Sequence, residues 1–430
     1  MESIIDTNGS SPQRRRLKKT DWAAGLGEIF GLGKREIISG TGRQGQVSVA
    51  RFINYFFTVS LLIGGCNRTE STALKQTRVV GASMSPTIWG EHVAVHCDHC
   101  GRQWRANWQP EMRPARDPIC GNCGGTVPLE SVESQPGDEI NIDTGAFLQA
   151  DPTLDDVVAI RSGNQVRIKR IVGTPGHVIS VYDGYLVRDE CPISTSAPWM
   201  LVHDDTHRRD GESWWTFRES ELVEQLERGF KFEVPPRTAS PVTLVYQHRS
   251  PYQSLKPDEV RDDYPGNLVE SRFLRSVKSL QVKASCVVRE EAMLEWWRWS
   301  PSGLAFESQS LSAGHHEIEV RWMNEEVSSG SPEQAREIDL AAEKPIGLVV
   351  TQGTLTLSDL VILRPIVYWI DPKATDVSFP LQLEPTQYFV VGDNVPLSID
   401  SRHTGPIRRS DIIGKVRPTD SLNGGGPTRW

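Results

Sequence analysis

Two short stretches of this 430-residue chain carry residues that could perform nucleophilic chemistry together. The first is GASMSPTIWG, residues 81 to 90, with Ser83 ahead of a proline and a threonine. A serine hydroxyl is a weak nucleophile near neutral pH and needs a neighbouring group to take its proton. No histidine stands in a recognisable motif near it, and a loop serine before a Pro-Thr turn fits the same residues. The second stretch is NQVRIKRIVGTPGHVISV, residues 164 to 181. Val166, Ile168 and Ile171 alternate with or flank Arg167, Lys169 and Arg170, and Gly173-Thr-Pro-Gly176 closes the run, which predicts a half-buried strand ending in a turn. On it Arg167 and Lys169 share a face. A surface strand would leave that lysine in water, whereas apolar surroundings would lower its pKa and make it a neutral base for a serine.

A third stretch begins at Tyr388, YFVVGDNVPLSIDSRHTGPIRRSDIIGKV. It starts as a buried strand and passes through Gly392-Asp-Asn394 into a polar loop holding Ser398, Asp400, Ser401 and Arg402. Polar loops of this composition are common, and the order of the three stretches is what carries information. Two weaker segments stand between them: PGDEINIDTGAF at 136 to 147, read as the strand after the serine, and LDDVVAIRS at 154 to 162, read as the strand before the lysine.

SMxPT, then IKRxxGxPG, then GDNxxxSxDSR, in that order, resembles the bacterial type I signal peptidases, membrane-bound Ser/Lys proteases of the leader peptidase family. The matching positions are Ser83 to Thr87, Ile168-Lys169-Arg170 with Gly173 and Pro175-Gly176, and Gly392-Asp393-Asn394 with Ser398, Asp400, Ser401 and Arg402. The resemblance covers roughly 78 to 96, 136 to 190 and 380 to 418. It implies that Ser83 attacks the scissile carbonyl and Lys169 is the general base. It also implies that Ser398 orients the lysine, that Asp400 and Arg402 form a supporting ion pair, and that the Ser83 backbone N–H is one oxyanion donor. The implied fold is a mostly antiparallel β catalytic core, the implied substrates are signal peptides of exported precursors, and no cofactor is needed for catalysis. The chain departs from the pattern at Gly81, where some relatives carry an oxyanion-hole serine and others glycine, at Val395-Pro396 in place of Arg-Asp, and at His177 in place of an acidic residue.

The first insertion, residues 97 to 125, holds two CxxC pairs, Cys97/Cys100 and Cys120/Cys123, each followed by glycine and separated by nineteen residues. This spacing suits two knuckles converging on a structural four-cysteine zinc site, a zinc ribbon. Disulfides are the other reading if the segment lies outside the cytoplasm. A catalytic zinc is excluded by the ligand set, because four thiolates leave no open position.

A larger insertion spans 191 to 378. Its alternating or apolar runs, ASPVTLVYQHRS, SLQVKASCVV, LEWWRWSPSGLAF, HHEIEVRWM and IGLVVTQGTLTLSDLVIL, are separated by Gly, Ser and Pro turns and predict an antiparallel sandwich. Trp296, Trp297, Trp299 and Trp322 suit core packing, with a carbohydrate platform as the other use, and Cys191 and Cys286 have a spacing that leaves their pairing open.

The elements that must position these groups are therefore mainly β. The predicted organisation is a basic disordered tail over 1–50 and a membrane segment over 51–68. The catalytic core would run over 78–190 with the ribbon inside it, then a β-sandwich-like insertion over 191–378, the core again over 379–418, and a tail over 419–430. FINYFFTVSLLIGGCN, residues 52 to 67, is free of charge and bounded by Arg51 and Arg68. At about 1.5 Å per helical residue it is short for a bilayer core of about 30 Å. It reads as a retained anchor or, because IGGC resembles a lipobox, as a signal ending at a lipidated Cys66. Arg14, Arg15, Arg16, Lys18 and Lys19 upstream favour a cytoplasmic N-terminus, which puts the rest on the outer face of a bacterial cytoplasmic membrane. The net charge of −8 argues against a nucleic-acid partner. Two other functions fit parts of the pattern: a self-cleaving Ser/Lys repressor, opposed by the apolar segment and the lack of a helix-turn-helix signal, and a non-catalytic envelope protein with a vestigial core.

Overall fold

The computed structural model describes residues 74–108, 117–128, 133–217, 221–236, 241–268, 272–301, 303–323, 337–371 and 375–418. The basic tail, the apolar segment at 51–68 and the C-terminal tail at 419–430 lie outside the described residues. Among the described residues the fold is mainly β, and no helix is long and apolar enough to cross a membrane.

A seven-stranded antiparallel sheet carries the candidate site. Its spatial order is Leu74–Arg78, Glu139–Asp143, Ile412–Pro418, Val157–Ser162, Gln165–Gly173, Gln387–Val391 and Ile407–Arg408. Alternation explains how one sheet builds two cores. On one face Ile140, Ile142 and Ala159 pack with Met84 and Ile88 of the serine turn; on the other Val158, Ile160 and Ile171 pack with Tyr388 and Val390. The strand Gln165–Gly173 is exposed at its start and buried over its last five residues. Val166, paired with Arg161 near the hairpin end, is 50% exposed. The turn expected after Gly173 is present at Thr174–His177, where the His177 N–H reaches the Thr174 carbonyl at 3.2 Å.

The strands His92–His96 and Gln103–Asn107 form a small hairpin on which Ser134–Gln135 pairs, and Val93, Val95, Trp104 and Ala106 pack around the cysteines.

The predicted strand runs of the large insertion are antiparallel strands. They join through one 22-residue strand, Ile346–Val367, into one hydrogen-bonded network of ten strands. This strand changes partners at Gly353. Before it lie Val242–Tyr246 and Ala292–Ser300, and after it Gly229–Val234, Leu280–Val288 and Ser194–Asp204. Gly353 has φ +116°, and a Cβ there would sit 2.6 Å from the Ala292 Cβ, so the switch needs glycine. Trp296, Trp297 and Trp322 are buried in the core, as their packing role requires. Cys286 is buried, Cys191 is exposed, and both are free thiols.

Candidate active site and cysteine cluster

Ser83 sits in the turn after Gly81, half-buried, with Met84 beneath it in the core. The turn is stitched by Ser85 N–H to the Ala82 carbonyl at 3.2 Å and Ile88 N–H to the Met84 carbonyl at 3.0 Å. Its link to the third stretch is direct: the Asn394 N–H donates to the Ser83 carbonyl at 3.1 Å. Gly392 allows this approach. A Cβ there would lie 2.2 Å from the Ser398 hydroxyl oxygen and 2.3 Å from the Ser83 carbonyl oxygen.

Lys169 is only 2% exposed. Its Nζ donates to the Ser398 Oγ at 2.8 Å. Burial lowers its pKa to about 8; Asp400 opposes that shift, and the Arg402 and Arg167 charges reinforce it. Ser83, Lys169 and Arg167 line one cleft of about 630 Å³, whose walls include Met84, Ile140 and Ile168. Its rim is apolar and exposed: Val80 (81%), Ile399 (62%) and Leu397 also line it.

The charged residues around the lysine are paired. Arg402 Nε and Nη2 each meet an Asp400 carboxylate oxygen at 2.9 Å, and the guanidinium also donates to the carbonyls of Trp369, Val395 and Ser398. Burial alone would raise the Asp400 carboxyl, but Arg402 and the Gly392 N–H hold it below the usual range. The Asp400 side chain also caps the short helix Ser401–Thr404 by accepting from the Arg402 N–H. A buried pair satisfied this fully fixes the loop that carries Ser398; a lone buried charge would disrupt it. A second pair lies alongside: Arg170 grips Asp393 bidentately at 2.8 and 2.6 Å, and Tyr368 and Thr87 donate to the same carboxylate.

The motifs point to Ser83, Lys169, Ser398, Asp400 and Arg402 but carry no signal for what lies under the turn. Tyr264 and Asn267, from the large insertion, supply that floor. Tyr264 donates to the Asp393 carbonyl at 3.2 Å, and the Asn267 amide donates to Asn394 Oδ1 at 2.8 Å. Nothing in their local sequence signals this, since both sit in an irregular segment far from the motifs.

The four cysteines form a separate centre. Cys97 and Cys100 close one turn, with Gly101 N–H to the Cys97 carbonyl at 2.8 Å; Cys120 and Cys123 close the same turn again, with Gly124 N–H to the Cys120 carbonyl at 2.9 Å. Gly101 and Gly124 have φ of +73° and +69°, which is why each CxxC is followed by glycine. All four Sγ atoms lie within 4.8 Å of one another, with Cys97–Cys123 at 3.5 Å and Cys100–Cys120 at 3.8 Å. A tetrahedral ion with metal–sulfur bonds of about 2.3 Å separates its sulfurs by about 3.8 Å, so the residues fit a structural metal. The close sulfurs share their protons: hydrogen bonds from Cys100 and Cys123 lower Cys120, while Cys100 and Cys123 are raised in turn.

Comparison with known proteins finds similarity over part of the chain. Residues 370–419 match the family model for signal peptidase, peptidase S26. Signal peptidase I V of Bacillus subtilis (strain 168) is 46% identical over 46 residues, which are 11% of this chain and 27% of that relative's length. These matches support a serine peptidase of the signal peptidase family. The family-model match contains Ser398, Asp400 and Arg402; Ser83 and Lys169 lie outside it. Among solved structures, the family 11 carbohydrate-binding module of the cellulosomal cellulase Lic26A-Cel5E of Clostridium thermocellum is 13% identical with a TM-score of 0.22, covering 40% of this chain and 96% of that one. The N-terminal cellulose-binding domain of Cellulomonas fimi β-1,4-glucanase C is 13% identical with a TM-score of 0.19, covering 34% and 86%.

Proposed function

We propose that this chain is a signal peptidase I that cuts signal peptides from exported precursors, with Ser83 as nucleophile and Lys169 as general base. The observation that carries this reading is the lysine: buried, held by Ser398 Oγ at 2.8 Å, lowered to about 8, and lining the same cleft as Ser83. At neutral pH about a tenth of such lysines are uncharged and able to accept the serine proton. Attack by the Ser83 oxygen on the scissile carbonyl forms a tetrahedral intermediate whose oxyanion meets the Ser83 backbone N–H. Lys169, now protonated, then gives its proton to the leaving amine, and a water activated by the same lysine hydrolyses the acyl-enzyme. Ser398 fixes the direction of Nζ, and the Asp400–Arg402 pair fixes Ser398.

The apolar rim at Val80, Leu397 and Ile399 suits contact with a bilayer surface or an apolar substrate. Residues 51–68 serve as the membrane attachment, retained or replaced by a lipid on Cys66, with the catalytic part on the outer face of the bacterial cytoplasmic membrane. The catalytic core comprises 78–190 and 379–418, with the ribbon at 97–125 and the β-sandwich-like part at 191–378 as insertions. The purified protein is expected to cleave a precursor bearing Ala at −3 and −1 after the −1 residue, read by mass spectrometry of the new N-terminus. Failure to cut any such precursor in detergent or vesicles would overturn the assignment.

The cysteine cluster holds one structural zinc in this reading, and the four thiolates supply only cross-linking of the two knuckles. Elemental analysis should give about one zinc per chain, the capacity of one four-thiolate site, and joint replacement of Cys97 and Cys120 should abolish it. Recovery of the protein with four oxidised cysteines and no metal would show instead that the knuckles are disulfide-linked.

A further inference from the structure

Three asparagines from distant parts of the chain meet under the serine turn. Asn394 is fully buried, and its Nδ2 shares two N–H groups among Ser85 Oγ at 2.8 Å, Asn267 Oδ1 at 2.9 Å and the Ala82 carbonyl at 3.0 Å. Asn107, the last residue of the hairpin strand leading out of the first cysteine knuckle, donates from Nδ2 to Ser85 Oγ at 3.0 Å and to Asn267 Oδ1 at 2.7 Å. The Ser85 hydroxyl in turn donates to the Ala82 carbonyl at 3.0 Å. Every path in this network ends on the residues that flank Ser83.

The backbone fixes the same contact. Asn107 N–H donates to the Gly266 carbonyl at 2.7 Å, and Asn267 N–H to the Tyr264 carbonyl at 2.8 Å. Gly266 passes so close to Trp89 and the Arg105 carbonyl that a Cβ would lie 2.8 Å from the Trp89 ring and 3.2 Å from that oxygen. Residues 264–267 are thus wedged between the cysteine-bearing hairpin and the serine turn. The turn itself belongs to no sheet ladder, so the direction of the Ser83 side chain follows from how firmly Ala82 and Ser85 are held. Small displacements matter here, because a shift of about 1 Å in a reacting group can cost on the order of 100-fold in rate.

We infer that Asn107 and Asn267, each contributed by a segment inserted between the motif-bearing stretches, are positioning residues for the Ser83 nucleophile, acting through Ser85 and the Ala82 carbonyl. The inference rests on the reading of Ser83 as nucleophile. It makes the two insertions parts of the catalytic apparatus rather than appendages to it.

The test uses the full chain, a short peptide with Ala at −3 and −1, and two readouts, kinetics and hydrogen exchange of peptides covering residues 80–90. Asn267→Ala and Asn107→Ala, each of which removes an Nδ2 donor without adding a charge, should each lower kcat by roughly 10- to 100-fold with KM within about twofold. The pH profile should keep its midpoint, because Lys169 is untouched, and residues 80–90 should exchange faster. Combining Ser85→Ala with Asn267→Ala should cost little beyond the worse single change, as members of one network do. If Asn267→Ala does not fold, Asn107→Ala decides alone. Unchanged exchange over residues 80–90, or unchanged kcat despite faster exchange, overturns the inference. If wild type and Ser83→Ala cleave the peptide equally, the nucleophile reading fails and this positioning role fails with it, whereas normal Ser83 dependence with unaffected asparagine variants rejects the positioning role alone.

Discussion

Replacing Ser83 by alanine is expected to reduce kcat/KM for precursor cleavage by roughly 10⁴-fold or more, because the change deletes the oxygen that forms the acyl bond in the proposed mechanism. The protein should remain folded. The turn is held through main-chain and Ser85 contacts: the Ser83 carbonyl accepts from Asn394 N–H, and Met84 fills the core below. Thermal unfolding of Ser83→Ala should therefore match wild type to within about 0.5 kcal/mol, the range of a change away from core or cap. Cleavage at the wild-type rate would place the nucleophile elsewhere and with it reject the Ser/Lys mechanism. Cleavage lost together with folding would show only that Ser83 supports the turn.

Lys169→Arg should be almost as damaging, with kcat falling by about 10²- to 10⁴-fold, the usual contribution of a general base. A guanidinium stays protonated at any usable pH and accepts no proton. The wild-type profile follows from the same residue. Burial lowers the lysine to about 8, so the neutral form, and with it kcat/KM, rises as pH passes through 8 and levels off above it. Below pH 7 activity should fall about tenfold per pH unit, as one proton is bound to the base. A profile flat between pH 6 and 9, or an arginine variant that retains activity, would locate the base on another group.

The residue types and their order point to candidate reacting groups because chemistry is local to a side chain. A serine in SMSPT, a lysine in IKR and a serine, aspartate and arginine in GDNVPLSIDSR can be read without any contact between them. The cysteine cluster was legible for the same reason, with the added help that glycine after each CxxC answers a backbone requirement within five residues, met at Gly101 and Gly124 by positive φ. The mainly β character was legible from alternation. Less legible were the lengths and pairings of strands: Ile346–Val367 is one strand crossing a glycine and an Asp at positive φ, features that read locally as breaks.

The sequence by itself determined which groups are available: Ser83, Lys169, Ser398 with Asp400 and Arg402, and four cysteines. Only the tertiary structure decided their states. Lys169 is flanked by Ile168 and Arg170 in a strand that would equally suit a solvated surface; the sheet and the 392–402 loop remove its water, and desolvation sets its pKa. The asparagine floor is likewise invisible in one dimension, because Asn107, Asn267 and Asn394 are separated by more than a hundred residues each and carry no local pattern. Their amides acquire a role only when folding brings them to one buried point, where the Nδ2 groups of Asn107 and Asn394 meet Ser85 Oγ and Asn267 Oδ1 away from water.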